Sequence, residues 1–145
     1  MRSHRLSGQF TLDLPPAEAF RLFTARGERD WVAGWEPIFP VPTEDDAAVG
    51  TVFETDAHGH RTVWMVVDSQ PPHRIRYAQV RLGERAGTVS VSLDEAGGGS
   101  LVTVTYELTP LTEAAGPAVD HFAADYPAFL AGWPAAIATR MDAPA

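Results

Sequence analysis

The stretch from His121 to Ile137, HFAADYPAFLAGWPAAI, decides the architecture. Phe122, Tyr126, Phe129, Trp133 and Ile137 recur at steps of four, three, four and four, which lines five large apolar side chains along one stripe of a helix. Thr112 or Gly116 is placed to cap its start, and Pro117 suits a first-turn position. Pro127 and Pro134 do not suit a helix interior, because each removes a hydrogen bond. The spacing predicts a kinked but continuous helix; two short helices would carry the same stripe.

Upstream the period changes from helical to alternating. In LSGQFTLDL, Leu6, Gly8, Phe10, Leu12 and Leu14 share one strand face, and the prolines at 15 and 16 end it. AEAFRLFT sets Phe20 and Phe23 on one side of a short helix. GERDWVAGWEP, Gly27 to Pro37, adds a second turn or two before Gly34 and Pro37 stop it. TVFETD and RTVWMVVD flank AHGH as a hairpin with His58 and Gly59 in the turn. Counting outward from that turn pairs Asp56 with Arg61, Thr55 with Thr62, and Phe53 with Trp64. HRIRYAQVRL, TVSVSL and LVTVTYEL continue the meander, with DEAGGGS as a glycine turn. A sheet with one apolar face needs a covering element, and the terminal helix is the only long amphipathic one.

At 145 residues the chain is read as one domain, residues 1–145, with 45% hydrophobic and 21% charged residues. The net charge of -8 argues against a nucleic-acid partner, which needs a concentrated basic surface. The basic residues other than histidine are all Arg, a bias of coding rather than a site. With no cysteine, disulfides and thiol catalysis are excluded. MRSHRLSGQF lacks a signal-peptide core, and no run reaches the length of a membrane span, so cytoplasm and no membrane insertion are the expectation.

The order of elements, with LDLPPAEAFRLFT, GERDWVAGWEP, GTVFETD with TVWMVVD, LVTVTYELTPLTEAAG and FLAGWPAAI, resembles the helix-grip, or START-like, superfamily often called SRPBCC. That superfamily takes in polyketide cyclase/dehydrase and lipid-transport domains, birch-type pollen allergens and the activator homologues of heat-shock ATPases. The resemblance covers Leu6 to about Met141 and is nearest to a bacterial subgroup. It implies an α+β helix-grip fold: a curved antiparallel sheet of about seven strands wrapped around a long C-terminal helix, with two short helices after the first strand. It also implies a cavity bounded by sheet, terminal helix and short helices. For function it is weak, since this fold hosts carriers, enzymes and co-chaperones.

The candidate site residues are those expected to face that cavity. Trp31 and Trp35 divide between core and pocket, with Trp35 the rim residue and the short helices acting as a lid. Each buried indole contributes roughly 1.5–3 kcal/mol whichever role it takes. Phe53, Trp64, Tyr77 and Tyr106 point to the concave face; ordinary packing explains Phe53, while the tyrosine hydroxyls need partners and suit the orientation of a ligand. Phe122, Tyr126, Phe129 and Trp133 supply the helix side. His121 joins the tyrosines in fixing ligand orientation. With Asp125 four residues on, it is placed to hydrogen-bond as the start of an acid/base pair, though both lie off the aromatic stripe and a solvated surface pair is the more common reading. His58 and His60 lack a third imidazole for a metal site. Arg61, Arg74, Arg76 and Arg81 are expected to face solvent or pair with acids; one of them at the cavity rim would favour a carboxylate-bearing ligand. Val52, Val63, Met65 and Val67 form an apolar patch on the convex side, which suits a homodimer.

No Ser–His–Asp order, phosphate-cradling loop or nucleotide fingerprint occurs. The residues point to binding or transport of a hydrophobic small molecule, lipid- or polyketide-like, without a cofactor or metal. An enzyme of the cyclase, aromatase or dehydratase kind requires at least two titratable groups converging in the cavity. A protein-interaction module like the heat-shock ATPase activators requires a small, filled one.

Overall fold

In the computed structural model, which describes residues 1–57 and 59–142, the chain runs as β1 (His4–Leu12), α1 (Pro16–Ala19), β2 (Val52–Ala57), β3 (His60–Gln70), β4 (Arg74–Arg81), β5 (Arg85–Ala96), β6 (Gly99–Pro110) and α2 (Gly116–Asp142). Between β1 and β2, α1 passes directly into a 3-10 turn at Phe20–Phe23, and a second 3-10 turn spans Gly27–Asp30. A three-residue turn stacks i and i+3, so Phe20 and Phe23 both face inward and are buried. His58 and the expected frayed end at 143–145 lie outside the described residues.

The sheet is antiparallel in the order β1-β6-β5-β4-β3-β2. It has six strands rather than about seven. The segment that would supply another, 36–50, carries Pro37, Pro40 and Pro42 and makes only a single bridge, Ile38 with Glu54. Proline has no N–H to give a ladder, so this segment cannot extend that bridge into a strand. The β2–β3 register is the expected one, with Asp56 opposite Arg61, Thr55 opposite Thr62 and Phe53 opposite Trp64. Arg61 nevertheless reaches diagonally to Glu54, at 3.3 Å, and leaves Asp56 aside. At the β5–β6 hairpin Ala96 faces Gly99, and Gly97 and Gly98 take φ of 56° and 84°, which the two-residue turn requires.

The terminal helix is continuous through Pro127 and Pro134. It packs on β1 and β6 rather than across the middle of the sheet. Gly8 makes this approach possible: a methyl there would fall 2.5 Å from Cδ2 of Leu130. The buried seam of α2 is Val119, Tyr126, Leu130, Trp133 and Ile137. Phe122 and Phe129 lie beside that seam, partly exposed, so the stripe read from the sequence is rotated toward one side. Because the helix sits over β1 and β6, the concave face of β2–β5 is left to be covered by the short helical segment. The hollow of the molecule lies there.

On the convex side Val52, Val63, Met65 and Val67 are each 38–41% exposed, forming the expected apolar patch, and Val80, 37% exposed, adds to it. No described helix is long and apolar enough to cross a membrane.

Candidate functional site

A cavity of about 540 Å³ lies between the concave face of β2–β6, one side of α2 and the segment from Glu28 to Trp35. Strand alternation sets its floor. Thr55 follows Phe53 by two on β2, Thr62 precedes Trp64 by two on β3, and Tyr77 and Arg81 share a face of β4. Arg85, Val89 and Val91 come from β5 and Tyr106 from β6. The helix contributes Phe122, Phe129, Gly132, Trp133 and Ala136. Ala33, His60, Phe129 and Gly132 are the exposed members of the lining and mark the mouth.

All four tryptophans line the hollow. Trp31 meets Trp133 edge-on at 5.2 Å between ring centroids, and Trp35 meets Trp64 at 5.5 Å. Three of the indoles are pinned by their N–H groups: Trp31 donates to the Leu22 carbonyl at 2.7 Å, Trp35 to that of Ala25 at 2.7 Å, and Trp64 to Thr55 Oγ1 at 3.0 Å. The division of roles expected for Trp31 and Trp35 is therefore not found. Each is 9% exposed and each is both core and cavity wall, so Trp35 is no rim residue. The segment they anchor is a tethered wall, since lifting it as a lid would break both N–H bonds and bare two indoles.

Of the other predicted residues, Trp64, Tyr77, Tyr106, Phe122, Phe129 and Trp133 line the cavity; Phe53, Tyr126 and His121 do not. Phe53 is fully buried behind the wall, stacked on Trp64 and edge-on to Tyr77. Tyr126 turns to the sheet and donates to the Val104 carbonyl at 2.7 Å; burial pushes its hydroxyl up to about 12. His121 is exposed, one residue and thus about 100° round the helix from Phe122, and Asp125 is exposed as well. Among the described residues the two make no hydrogen bond to each other.

The polar groups are more numerous than the sequence suggested. Tyr77 donates to the Phe23 carbonyl at 2.7 Å, so its hydroxyl ties the 3-10 turn to the sheet. Burial first, then the Glu28 and Asp46 carboxylates, raise it well above the ordinary tyrosine value. Tyr106 has no such tie among the described residues and opens into the hollow. Burial raises its hydroxyl above the ordinary value; Glu28 adds to this and Arg85 opposes it.

Glu28 projects from the second 3-10 turn into the cavity without an ion-pair partner among the described residues. The residue is partly buried and its carboxyl is enclosed by protein, and this desolvation raises its pKa well above the usual carboxylate range. A raised native pKa means that the unfolded chain releases the proton first as pH rises. Stability attributable to Glu28 is therefore greatest below its unfolded value, roughly 4.3, and falls as pH climbs toward the native value. Glu28→Gln is expected to raise the Tm at pH 7 and to leave it unchanged near pH 4. An equal Tm difference at both values would mean that Glu28 is not a buried acid.

Two arginines also face inward. Arg61, Arg74 and Arg76 pair with Glu54, Asp68 and Glu107 as expected, but Arg81 turns into the cavity, where its Nε donates to Thr62 Oγ1 at 2.9 Å. Arg85 lies over the Phe122 ring, 5.0 Å from its centroid. Burial, and then the Arg81 charge, lower the Arg85 pKa to about 10, which leaves it charged at neutral pH. Strand parity carried this signal: Arg81 is four residues beyond Tyr77, and Arg85 four before Val89. Nothing comparable marked Glu28, because the phase of a short 3-10 turn is not written in the spacing of its apolar residues. His60 contacts Glu84 at 3.2 Å beside the mouth, while the other half of the expected histidine pair, His58, lies outside the described residues.

A curved sheet gripping a long helix over an aromatic cavity defines the helix-grip class. The chain belongs to the polyketide cyclase/dehydrase and lipid transport family, whose sequence profile matches residues 3–132. No curated protein matches it in sequence. Among solved structures it is similar to Ara h 8.0201, with 13% identity, a TM-score of 0.71, and coverage of 98% of this chain and 100% of that one. It is similar to CalU16 from Micromonospora echinospora at 17% identity and a TM-score of 0.64, covering 97% and 89% of the two chains. The Aha1 dimer from Colwellia psychrerythraea aligns at 14% identity and a TM-score of 0.63, covering 90% and 92%. At such identities the likeness concerns the fold.

Proposed function

We infer that the protein binds a hydrophobic small molecule, lipid- or polyketide-like, in the cavity between the sheet and α2, acting in the cytoplasm. The observation that carries this reading is the hollow of about 540 Å³ and its largely aromatic and aliphatic lining. A volume of that size suits a small ligand, and a lining of indoles, phenyl rings and valines with a few polar groups is the usual chemistry of such a site. Apolar burial supplies most of the affinity, and the polar groups set orientation. The open cavity argues against the small, filled interior that a protein-interaction module requires.

Native mass spectrometry of freshly purified protein tests the reading. The expected result is an added mass of a few hundred daltons that is lost on mild activation; protein that stays ligand-free, and takes up no apolar compound from a mixed panel, would count against it.

A second reading, an enzyme of the cyclase, aromatase or dehydratase kind, is favoured by one observation. Glu28 and Tyr106 converge on the same hollow, a carboxyl whose pKa burial raises and a phenol without a protein partner among the described residues. Desolvation favours the neutral carboxyl and the neutral phenol, and both are suited to hydrogen-bonding a carbonyl oxygen of a bound polyketone.

A further inference from the structure

We propose that the ligand of this cavity carries a carboxylate, seated between the guanidinium groups of Arg81 and Arg85. This rests on the reading of the hollow as a small-molecule site and specifies the chemistry of one end of its occupant.

Arg81 and Arg85 are direct cross-strand partners at the end of the β4–β5 hairpin, and both line the cavity. Like charges facing each other across a ladder destabilise the sheet, so the pair needs an anion to offset the repulsion. The protein supplies no direct partner: the Glu84 carboxylate acts on both arginines from a distance, but among the described residues neither guanidinium has a carboxylate within ion-pair distance. The nearest acid in the chain, Glu84, is turned to His60 at 3.2 Å. Elsewhere the same chain pairs Arg5, Arg29, Arg61, Arg74 and Arg76 with carboxylates on its surface. The inward pair is thus distinguished from an arginine-rich surface that is otherwise largely neutralised.

Both side chains are also held in place. Thr62 fixes Arg81 through Nε and leaves its terminal nitrogens available, and the Phe122 ring carries Arg85. Two buried groups at this end of the concave face, Arg85 Nε and the Gln79 amide, have no protein partner, so the region is polar beyond what the fold itself satisfies. A planar, singly charged head with two oxygens matches two guanidinium groups. A doubly charged phosphate would have to bring its second charge out of water into the same apolar-lined hollow.

The rest of the ligand then runs along α2 from Phe122 toward Trp133. Eleven residues at 1.5 Å each make that path about 16 Å, the length of a medium acyl chain or a few fused rings.

The test uses decanoate, decanol and decyl phosphate, with quenching of the cavity tryptophans as the readout, at pH 7.5. Decanoate is expected to bind at least tenfold more tightly than decanol. Arg81→Gln and Arg85→Gln are each expected to remove most of that preference, bringing decanoate affinity to within about twofold of decanol affinity in the same variant. Relief of the like-charge pair should keep both variants folded, which circular dichroism checks. If decanol binds as tightly as decanoate, or the preference survives in both variants, the head-group assignment fails and the apolar site stands. Tighter binding of decyl phosphate overturns the carboxylate in favour of a phosphate. Binding of none of the three sinks the assignment together with the small-molecule reading beneath it.

Discussion

Replacing Trp133 by alanine is expected to lower the free energy of unfolding by about 3 kcal/mol, read as a reduced urea midpoint at unchanged slope. Trp133 joins α2 to β1 and to the short helical segment: its ring lies 6.5 Å from Phe10, 6.2 Å from Phe23 and 5.2 Å from Trp31. Tryptophan truncations in packed cores cost about 3–5 kcal/mol, and the lower end applies because one side of this indole borders the hollow. Against a total stability of about 5–15 kcal/mol the loss is large. A change below about 1 kcal/mol would show that the three elements are held together by something other than this cluster. The same substitution enlarges the cavity, so ligand affinity is expected to fall as well, and Trp64→Ala should do likewise from the opposite wall.

The cleaner test of the cavity is Gly132→Leu, for which we expect ligand affinity to fall at least tenfold with no loss of stability. Gly132 lies within α2 at the cavity mouth, and a Cβ built there meets nothing within 4 Å. Glycine in a helix interior is less favourable than alanine or leucine by up to about 1 kcal/mol, so the replacement should hold or raise the Tm. Its side chain, however, enters the space through which a ligand passes. Gly132→Ala serves as the control, stabilising the helix while adding only a methyl group. Equal ligand affinity in Gly132→Leu and the parent protein would mean that the ligand enters or lies elsewhere.

The fold was legible because its signals are periodic. Alternation from Val52 to Leu108 fixed the meander and even the Phe53–Trp64 register, and steps of three and four fixed α2. The site was legible only where it inherits that periodicity. Trp64, Tyr77 and Tyr106 follow from strand parity, and Trp133 from the helical stripe. Arg81 follows from the same parity, but an arginine is ordinarily a surface residue, so its type points outward where its phase points in. His121 is the reverse case: its chemistry suits a site, while its phase on the helix points to water. Glu28, Trp31 and Trp35 sit in 3-10 and irregular backbone, where direction depends on tertiary contacts such as the bonds to Leu22 and Ala25. The lateral seat of α2, over β1 and β6, depends on Gly8 meeting Leu130, a long-range fit that no local window contains.

The pairing of β1 with β6, His4 opposite Leu108, ties together segments from opposite ends of the chain. Closing so long a loop has a high entropic cost, so this ladder forms late, and α2 cannot settle until it does. During synthesis the first strand must therefore wait, unpaired, until most of the polypeptide has left the ribosome. In that interval the β2–β5 meander has only its own hairpins to hold it, with apolar residues on both faces. Nascent-chain aggregation and chaperone demand should consequently peak just before β6 emerges.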